Sequence, residues 1–338
     1  MEVPYISFII PTLNAERLLV RCLTSIRAQT YPQSRFEILI ADGGSSDGTC
    51  AIALSYGARI LDAHGMLAEA AKKVALKEAQ GDFLAMVDAD NEFPDPDWLG
   101  KAVEALSRFP DALGFESYYL KPPASPAINR HLTANLQISD PIARTLAGKL
   151  TLISESPDGV QLFELPPDGS YPTGANGFLF SRELMTHLPS DHPFHEAAFF
   201  PWLIHNGWTK LVKHRDCGVY HYFVTGWMNY FYKRRRVVIN YILRRQEVAF
   251  TWDSRGPKWK MPVTLLFHST FVGPLCAGIW HAIKERDPDW LLYPAVSWWT
   301  CFSMALGFWD YWRASDKHSR ARLSMRLSTG TEAKSRNQ

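Results

Sequence analysis

The chain has 338 residues, which is enough for one large α/β domain with an appendage or for two modest domains. Its formal net charge is +2, which gives no bias toward nucleic acid, so no nucleic-acid partner is expected. The five cysteines include no Cys-x-x-Cys pair, which favours reduced thiols over a disulfide framework or a zinc site. The first apolar run is too short for a secretory signal peptide, so we expect the N-terminal domain to remain in the cytoplasm.

Strand and helix patterns alternate through the first quarter of the chain. We predict strands over residues 6–10, 36–41, 59–61 and 83–87, with helices between them. The third of these helices is predicted over residues 66–80, with Leu67, Ala71 and Val74 turned inward. Such regular alternation is typical of a parallel sheet connected by right-handed crossovers, so the sequence predicts an α/β fold.

The fourth predicted strand is an uninterrupted apolar run that leads into Asp88-Ala89-Asp90. Such a run suits a strand buried on both faces of a parallel sheet, and ligands bind at the carboxyl end of such strands. Two carboxylates this close repel each other unless a cation or hydrogen-bond donors lie between them. We predict Mg²⁺ or Mn²⁺ shared with a diphosphate. The alternative is a strand-end turn in which the Asp side chains bind local amides.

The middle of the chain shows weaker patterns. The Asp95-Pro96-Asp97-Trp98 sequence predicts a helix start with proline at its first position. Residues 115–172 contain several prolines and no clear period, so we expect irregular, substrate-facing structure there. A loop and a helix are expected over residues 191–208, and a strand over residues 210–222.

Aromatic and basic residues become dense from about Trp227 onward. Apolar residues such as Tyr230 and Val238 recur at helical spacing, and a basic run at residues 233–236 lies among them. A basic amphipathic helix with aromatic residues on its apolar side is typical of a helix on a membrane surface. We assign residues 226–256 to such a helix. A solvated basic helix packed on the domain is the alternative.

Two stretches without charged residues follow, at residues 261–283 and 290–309. Each is about long enough to cross a hydrocarbon core of ~30 Å, and tryptophans near their ends resemble an aromatic belt. We predict a two-helix transmembrane hairpin over residues 257–313 and a basic, disordered tail over residues 314–338. Basic residues flank the hairpin on both outer sides, which predicts that both ends are cytoplasmic. Buried soluble helices and a re-entrant hairpin are the alternatives.

Three segments together resemble family 2 glycosyltransferases. They are Ile-Pro-Thr-Leu-Asn at residues 10–14, Ala-Asp-Gly-Gly-Ser-Ser-Asp-Gly-Thr at residues 41–49, and Gly81-Asp82 leading into Asp88-Ala89-Asp90. Each segment alone is a weak signal, but their order and spacing are specific. The resemblance implies a GT-A fold, which is a single nucleotide-sugar-binding α/β domain, over residues 1–225. It also implies inverting transfer of a sugar from a nucleotide-diphosphate-sugar donor.

The resemblance assigns donor contacts to the ends of three strands. It implies that the nucleotide rests on the loop after the first strand, at Pro11, Thr12 and Asn14. Asp42 resembles the residue that contacts the nucleoside, and a carboxylate there can accept hydrogen bonds from the base or the ribose. Asp88 and Ala89, which follow the fourth strand, complete the predicted donor contacts.

The resemblance also implies a metal site. Asp88 and Asp90 correspond to the family's Asp-x-Asp element, in which the second residue binds the metal ion directly. The ion implied here is Mg²⁺ or Mn²⁺. His221 stands where related enzymes supply another metal ligand, and a packed or hydrogen-bonded histidine is the alternative.

An inverting enzyme needs a base near the acceptor hydroxyl. The family usually carries Glu-Asp about a dozen residues before a Gly-aromatic pair, with the Asp as the base. Counting back from Gly207-Trp208 reaches His195-Glu196, which departs from that pattern. We predict that Glu196 is the base because Glu differs from Asp by one methylene, and Asp191 is the competing candidate. An ordinary acid at a helix start is the alternative to both.

The acceptor is inferred from what surrounds these motifs. The Gln-x-x-Arg-Trp element of the family's processive members is not found in the sequence, which argues against a polymer-extruding synthase. We therefore expect transfer of one sugar to a polyprenyl phosphate or a lipid-linked glycan in cell-envelope synthesis. The expected location is the inner, cytoplasmic membrane, with the catalytic domain facing the cytoplasm. A nucleotidyltransferase of similar fold and a catalytically inactive membrane scaffold are the alternatives.

Overall fold

The structure is a computed structural model, and it describes residues 3–188, 194–245 and 259–314, without the side chains of residues 243–245. The chain divides into two units. The first unit consists of Met1–Leu120 and Gly148–His221, and the second consists of Lys121–Ala147 and Tyr222–Gln338. The chain therefore leaves the first unit and returns to it before that unit is complete.

The described strands all belong to the first unit. They are β1 (Ile6–Thr12), β2 (Phe36–Asp42), β3 (Arg59–Asp62), β4 (Phe83–Met86), β5 (Asn91–Glu92), β6 (Gly114–Glu116), β7 (Tyr118–Leu120), β8 (Thr151–Glu155), β9 (Val160–Glu164), β10 (Phe178–Ser181), β11 (Lys210–His214) and β12 (Gly218–His221). Nine of them form one sheet in the order β3-β2-β1-β4-β10-β6-β11-β9-β8, and three form a second sheet in the order β5-β12-β7.

The described α-helices are divided between the two units. They are α1 (Glu16–Arg27), α2 (Thr49–Ser55), α3 (Ala68–Glu78), α4 (Trp98–Ser107), α5 (Ala127–Arg130), α6 (Pro141–Leu146), α7 (Glu196–His205), α8 (Trp227–Arg245), α9 (Lys260–Ser269), α10 (Val272–Lys284) and α11 (Tyr293–Arg313). Helices α5, α6 and α8–α11 belong to the second unit.

The first four strands are parallel and adjacent, as the sequence predicted. Every residue of β1 is buried, because apolar clusters cover both faces of the sheet. Phe8 and Ile10 lie in one cluster and Ile9 lies in the other. In the register of β1 with β2, Thr12 lies opposite Asp42. The ends of these strands therefore bring two of the predicted donor-contact segments side by side.

Strand β10 makes the large sheet mixed, because it runs antiparallel to both β4 and β6. In the small sheet, β12 pairs antiparallel with β5, and His221 lies opposite Asn91. This pairing brings the end of the first unit to the segment that follows β4, although the two are far apart in the chain. The α/β class predicted from the sequence is confirmed.

Residues 115–172 are more regular than the sequence predicted, and the expectation of irregular structure is wrong for much of this segment. Strands β8 and β9 form an antiparallel hairpin at the edge of the large sheet. All five residues of β8 are exposed, and the register shifts between Leu152 and Ser154. Such a strand lacks the alternation of buried and exposed residues by which a strand is identified in a sequence.

Helix α3 differs from the prediction in the residues it buries. Leu67 lies before the helix and is 60% exposed, so its predicted inward position is wrong. The buried residues are Ala71, Lys72, Ala75 and Leu76. A lysine therefore occupies a position on the inward face of this helix.

Two other boundaries also moved. Helix α4 begins at Trp98, two residues after the proline that was predicted to open it. The strand predicted over residues 210–222 is two strands in different sheets. A turn separates them, in which the N–H of Cys217 donates to the carbonyl of His214 at 3.0 Å.

In the second unit, α8 packs against α11 through residues that the sequence assigned to a membrane-facing side. Tyr230 and Val238 are buried, and the hydroxyl of Tyr230 lies 2.6 Å from Oγ1 of Thr300. The buried guanidinium of Arg234 is paired with Asp140. One face of the described part of α8 is thus buried within this unit, while Trp227, Met228 and Val237 are exposed. The assignment to a membrane surface stays a prediction. The rest of that prediction, up to residue 256, lies outside the described residues.

Helices α9 and α10 are apolar enough to cross a membrane only as a pair, and they are bent by 81° at the break between them. The segment Pro288–Arg313, which contains α11, is the one described helix that is long and apolar enough to cross a membrane by itself. The first of the two predicted spans is therefore broken within the described residues. The membrane topology stays a prediction. The predicted tail lies outside the described residues except for Ala314.

Candidate active site

Asp42 organises the turn that follows β2. Its Oδ1 accepts hydrogen bonds from the hydroxyls of Thr12 and Ser45, at 2.9 and 2.5 Å. Its Oδ2 accepts from the backbone N–H groups of Gly44 and Ser45, at 3.0 and 2.8 Å. Burial raises the pKa of Asp42, but these hydrogen bonds outweigh burial and hold that pKa below its ordinary value. Asp42 is therefore ionised at neutral pH and fixes the loop to which the nucleotide was assigned.

Asn14 connects the loop after β1 to the same turn. Its backbone has a φ of 51°, and its side-chain oxygen accepts from the N–H and the hydroxyl of Ser46 at 2.9 and 3.2 Å. The N–H of Asn14 donates to the hydroxyl of Ser45 at 2.8 Å. Pro11 lies next to the end of β1. The structure thus brings the four residues predicted to contact the nucleotide on these loops to one edge of the sheet. Their contact with a nucleotide stays a prediction.

Asp88 and Asp90 follow β4, and their side chains are 34% and 20% exposed. Nε2 of His221 lies 3.4 Å from Oδ1 of Asp90. Oδ1 of Asp88 lies 3.2 Å from Nζ of Lys72, a residue outside the sequence motifs. Ala89 lies between the two carboxylates and is partly exposed.

The donor atoms of Asp88, Asp90 and His221 suit Mg²⁺ or Mn²⁺, because hard cations prefer carboxylate oxygens and imidazole is a common metal ligand. Within the described ranges, no three His, Cys, Asp or Glu side chains already lie close enough together to hold a metal ion. Asp90 and His221 can supply two ligands, and a substrate diphosphate and water can supply others. The metal ligands therefore stay a prediction.

A chain of side-chain hydrogen bonds supports the loop that carries Asp88. The N–H of Asp88 donates to Oδ1 of Asn91 at 3.0 Å, and the side-chain amide of Asn91 donates to Oδ1 of Asn176 at 2.9 Å. Asn176 in turn donates to the hydroxyl of Tyr119 at 2.8 Å. The ring centroid of Tyr119 lies 5.4 Å from that of His221. The chain links the two segments that carry the predicted metal ligands. None of its asparagines stood out in the sequence, because Asn is also a common turn residue.

Glu196 is the first residue of α7 and is buried. Its Oε1 lies 2.6 Å from Nζ of Lys72, and its N–H donates to Oε2 of Glu69 at 3.0 Å. The side chain of Lys72 is only 3% exposed. The ammonium group of Lys72 therefore contacts both the predicted base and Asp88. Lys72 and Glu69 both lie on α3 and were not predicted from the sequence.

The charges around Lys72 shift the pKa values of the buried groups. Burial raises the pKa of Glu196 well above its ordinary value, and the carboxylate of Glu69 raises it further, while Lys72 acts against both. Burial lowers the pKa of Lys72, but the carboxylates of Asp88, Glu196 and Glu69 outweigh it and raise that pKa well above its ordinary value. Lys72 therefore remains a cation. A raised pKa makes the carboxylate of Glu196 a stronger base.

The other residues of the base prediction are less informative. His195 is the N-cap of α7, and its Nδ1 accepts a hydrogen bond from the N–H of Ala197 at 3.2 Å. The residue that replaces the family's usual Glu therefore caps a helix. Asp191, the competing candidate, lies outside the described residues. The choice of Glu196 as base stays a prediction.

Comparisons of the sequence with known proteins find glycosyltransferases over part of the chain. Residues 7–149 match the family model described as Glycosyl transferase family 2. Glycosyltransferase AglE of Haloferax volcanii is 29% identical over 154 residues, which cover 43% of this chain and 50% of AglE. The dolichyl N-acetyl-alpha-D-glucosaminyl phosphate 3-beta-D-2,3-diacetamido-2,3-dideoxy-beta-D-glucuronosyltransferase of Methanococcus voltae is 33% identical over 111 residues, which cover 31% of this chain and 34% of that protein. The match therefore spans half or less of the length of each relative.

A solved structure extends the agreement to the fold. The mannosyltransferase PcManGT from Pyrobaculum calidifontis, in complex with GDP-Man and Mn²⁺, has a TM-score of 0.54 to this chain at 15% sequence identity. The superposition covers 94% of this chain and 89% of that chain. At this identity the likeness concerns the fold alone, and it confirms the GT-A class predicted from the sequence motifs. Residues 7–149 are thus similar to glycosyl transferase family 2, and the chain has the GT-A fold.

Proposed function

We propose that this protein is an inverting glycosyltransferase that moves a sugar from a nucleotide-diphosphate-sugar donor to a membrane-associated acceptor. The proposed acceptor is a polyprenyl phosphate or a lipid-linked glycan, and the proposed role is in cell-envelope polysaccharide or glycoconjugate synthesis. The observation that carries the proposal is that Glu196 and Asp88 both contact Lys72, with Asp90 beside His221, in a domain with the GT-A fold.

The proposed reaction assigns a task to each part of the site. The loops that contain Asn14 and Asp42 hold the nucleoside. A divalent cation held by Asp88, Asp90 and His221 would neutralise negative charge on the leaving diphosphate. In the proposed chemistry, the carboxylate of Glu196 accepts the proton of the acceptor hydroxyl, whose oxygen forms a bond to the anomeric carbon.

The same step releases the nucleotide. The bond between the anomeric carbon and the diphosphate oxygen breaks on the opposite side, and the nucleoside diphosphate leaves with the electron pair. Because attack and departure occur on opposite faces of the anomeric carbon, the configuration inverts. The proton stays on Glu196 until it is lost to water.

The similar proteins support these substrate classes. The Pyrobaculum calidifontis mannosyltransferase was solved with GDP-Man and Mn²⁺, which supports a nucleotide-sugar donor and a divalent cation. The name of the Methanococcus voltae relative includes a dolichyl-linked sugar phosphate, which supports a lipid-linked acceptor.

The pattern of α11 supports a membrane location. Its buried side includes small residues, namely Ser297, Thr300, Ser303 and Gly307. Large apolar side chains are exposed on it instead, namely Trp298, Phe302, Phe308, Trp309 and Trp312. A helix on the surface of a soluble protein has the reverse arrangement, with large apolar residues inside. Small residues between helices and large apolar residues outside are typical of helix packing in a membrane.

Helices α9 and α10 add to the exposed apolar surface of the second unit. Leu266, Val272 and Ile283 are 65, 65 and 74% exposed. Large exposed apolar patches mark surfaces that bind other proteins or membranes. Lys260 and Arg313 lie at the two ends of the helical region, and basic residues favour the cytoplasmic side. We infer that the second unit inserts into the cytoplasmic membrane and that the first unit lies in the cytoplasm.

The test is release of nucleoside diphosphate by the full-length protein in isolated membranes. UDP- and GDP-linked sugars are supplied one at a time with Mn²⁺ or Mg²⁺. Release of UDP or GDP above that of membranes without the protein supports the proposal. A nucleotidyltransferase instead releases inorganic diphosphate from a nucleoside triphosphate. An inactive scaffold releases neither product.

A further inference from the structure

We propose that Lys72 is a positioning residue that fixes the carboxylate of Glu196 next to Asp88. The base for the acceptor is thereby held at a fixed position relative to the donor site. This inference rests on the proposed function, because it requires Glu196 to act as the base. Nothing in the motifs of the sequence assigns a role to Lys72.

The geometry of Lys72 places one cation between two predicted functional groups. Its Nζ lies 2.6 Å from Oε1 of Glu196 and 3.2 Å from Oδ1 of Asp88. Both distances are within the range of charge-assisted hydrogen bonds or close ion pairs. A single ammonium group therefore sets the separation of the two carboxylates, one from α7 and one from the loop after β4.

The burial of Lys72 argues against a merely solvated side chain. Its side chain is 3% exposed, and it lies on the inward face of α3 beside Ala71, Ala75 and Leu76. A lysine is almost never fully buried unless it is paired, because its charge is costly to remove from water. A buried ion pair is also weak evidence for stability, since an apolar residue of similar volume is often as stabilising. A role in positioning explains why a charge occupies this place.

The same turn of α3 also holds the backbone of Glu196. Oε2 of Glu69 accepts the N–H of Glu196 at 3.0 Å. Because Glu69 and Lys72 are three residues apart, they lie on neighbouring positions of one helical face. Helix α3 therefore fixes Glu196 at two points, through its main chain and through its carboxylate. The first turn of α7 is thereby oriented relative to the loop of Asp88.

A competing role for Lys72 is direct contact with the donor diphosphate. The two roles differ in what a substitution changes. A positioning residue acts through Glu196, so its loss lowers kcat and leaves donor KM nearly unchanged. A diphosphate ligand acts on the donor, so its loss raises donor KM whether or not Glu196 is present.

The experiment is a double-mutant cycle on the full-length protein in membranes, with release of UDP or GDP as the readout. The variants are Lys72→Met, Glu196→Gln and the double variant, with Lys72→Arg as the conservative change. Lys77→Met is the matched control, because Lys77 is an exposed lysine on the same helix. Melting temperatures establish which variants are folded, and donor binding is measured by titration with the UDP- or GDP-sugar that is cleaved.

We expect Lys72→Met to lower kcat at least tenfold with donor KM changed less than about twofold. The double variant should be no slower than Glu196→Gln, and Lys72→Arg should restore part of the rate. If Lys72→Met does not fold, the test is the comparison of the rates of Glu196→Gln and the double variant. Both variants have a neutral side chain at position 196, which needs no cation beside it.

Three results would overturn the assignment. If the decrease in kcat of the double variant equals the product of the decreases in the two single variants, Lys72 acts independently of Glu196. A raised donor KM with unchanged kcat would assign Lys72 to the diphosphate. Absence of both donor binding and release in the wild-type protein would overturn the proposed function itself, and the role of Lys72 with it.

Discussion

Nε2 of His221 lies 3.4 Å from Oδ1 of Asp90 because β12 pairs with β5 immediately after the carboxylate segment. The pairing brings together the imidazole of His221, at the end of the first unit, and the carboxylate of Asp90, which follows β4. The backbone hydrogen bonds between paired strands fix the position of the residues at the strand ends. The sheet therefore fixes the spacing of these two candidate metal ligands.

The first prediction concerns the metal ion. EDTA should abolish release of UDP or GDP from the donor, and Mn²⁺ or Mg²⁺ should restore it. Asp90→Asn should weaken Mn²⁺ binding and inactivate the protein, because it removes the charge from a predicted ligand. His221→Gln should raise the Mn²⁺ concentration that gives half of the maximal rate. Binding is measured by the electron paramagnetic resonance signal of free Mn²⁺, which does not depend on turnover.

A matched control for these variants is Asp97→Asn, which changes an exposed carboxylate after the same region of the chain. It should bind Mn²⁺ like the wild-type protein. Full activity of the wild-type protein in excess EDTA would contradict the metal assignment.

The second prediction concerns Glu196. Glu196→Gln keeps the size and hydrogen-bonding capacity of the side chain but removes its basicity. Because a general base typically contributes 10²- to 10⁴-fold, kcat should fall by about that factor. Donor KM should change little, since the predicted donor contacts are on other loops. Glu196→Asp should retain partial activity if reach is the only difference.

Asp191→Asn is the comparison that decides between the two candidates. We expect it to be mild. If Asp191→Asn is inactive while Glu196→Gln has a kcat close to that of the wild-type protein, the base is Asp191. Harmless effects of both substitutions, with donor binding intact, would show that neither residue is the base.

The third prediction concerns Asp42 and stability. In Asp42→Asn, one carboxylate oxygen is replaced by an NH₂ group, which cannot accept the hydrogen bonds that this oxygen now accepts. The free energy of unfolding should therefore fall by about 1–3 kcal/mol. The melting temperature should fall by roughly 2–4 °C for each kcal/mol. Asp62→Asn is the control, because Asp62 ends a neighbouring strand and is exposed.

The effect of Asp42 should depend on pH in a defined direction. The folded protein holds the pKa of Asp42 below its ordinary value of 3.8, so folding favours the ionised form. The stabilisation is complete above the ordinary value and is lost as pH falls through the lower folded-state pKa. The difference in melting temperature between wild type and Asp42→Asn should therefore be constant from pH 7 to 5 and shrink in stronger acid. A difference that grows on acidification would contradict this account.

The fourth prediction concerns the membrane. The protein should stay in the membrane pellet after washing with high salt or carbonate, because hydrophobic insertion is not screened by ions. Release into the supernatant by salt alone would show peripheral attachment.

Two residues of α11 distinguish insertion from internal packing. A side chain at Gly307 would approach the carbonyl of Arg235 at 2.9 Å and Cβ of Val238 at 3.1 Å, so Gly307→Leu should lower the melting temperature in detergent. Trp309 is 53% exposed, so Trp309→Ser should leave the melting temperature nearly unchanged and weaken membrane retention. Equal effects of the two substitutions on melting would contradict the outward orientation of Trp309.

Several parts of this structure could be predicted from the sequence because they depend on local patterns. The strands that end near Thr12, Asp42 and Asp88 are buried on both faces, and continuous apolar runs identify them. The polar residues after such runs collect at one edge of a parallel sheet, so their proximity follows from the fold class. His221 was placed near Asp90 by family resemblance, and the pairing of β12 with β5 produces that proximity.

Other parts depend on contacts between distant segments and could not be predicted in this way. Lys72 looks like an ordinary helical lysine, and only the position of Glu196 shows that it is buried and paired. A weak signal was available, because Ala71, Ala75 and Leu76 define a face that includes position 72. The apolar face of α8 was also ambiguous, because a helix against protein and a helix on a membrane have the same periodicity.

The order in which the chain builds its two units limits how the protein can be shortened. Lys121–Ala147 belongs to the second unit but lies between two segments of the first. Its buried residues Ile128, Leu132 and Leu136 share an apolar cluster with Tyr230 and Val296, which come after His221. Truncation after His221 would therefore expose these apolar side chains to water and favour aggregation. A soluble catalytic fragment needs a second change, in which a flexible glycine-serine linker replaces residues 121–147.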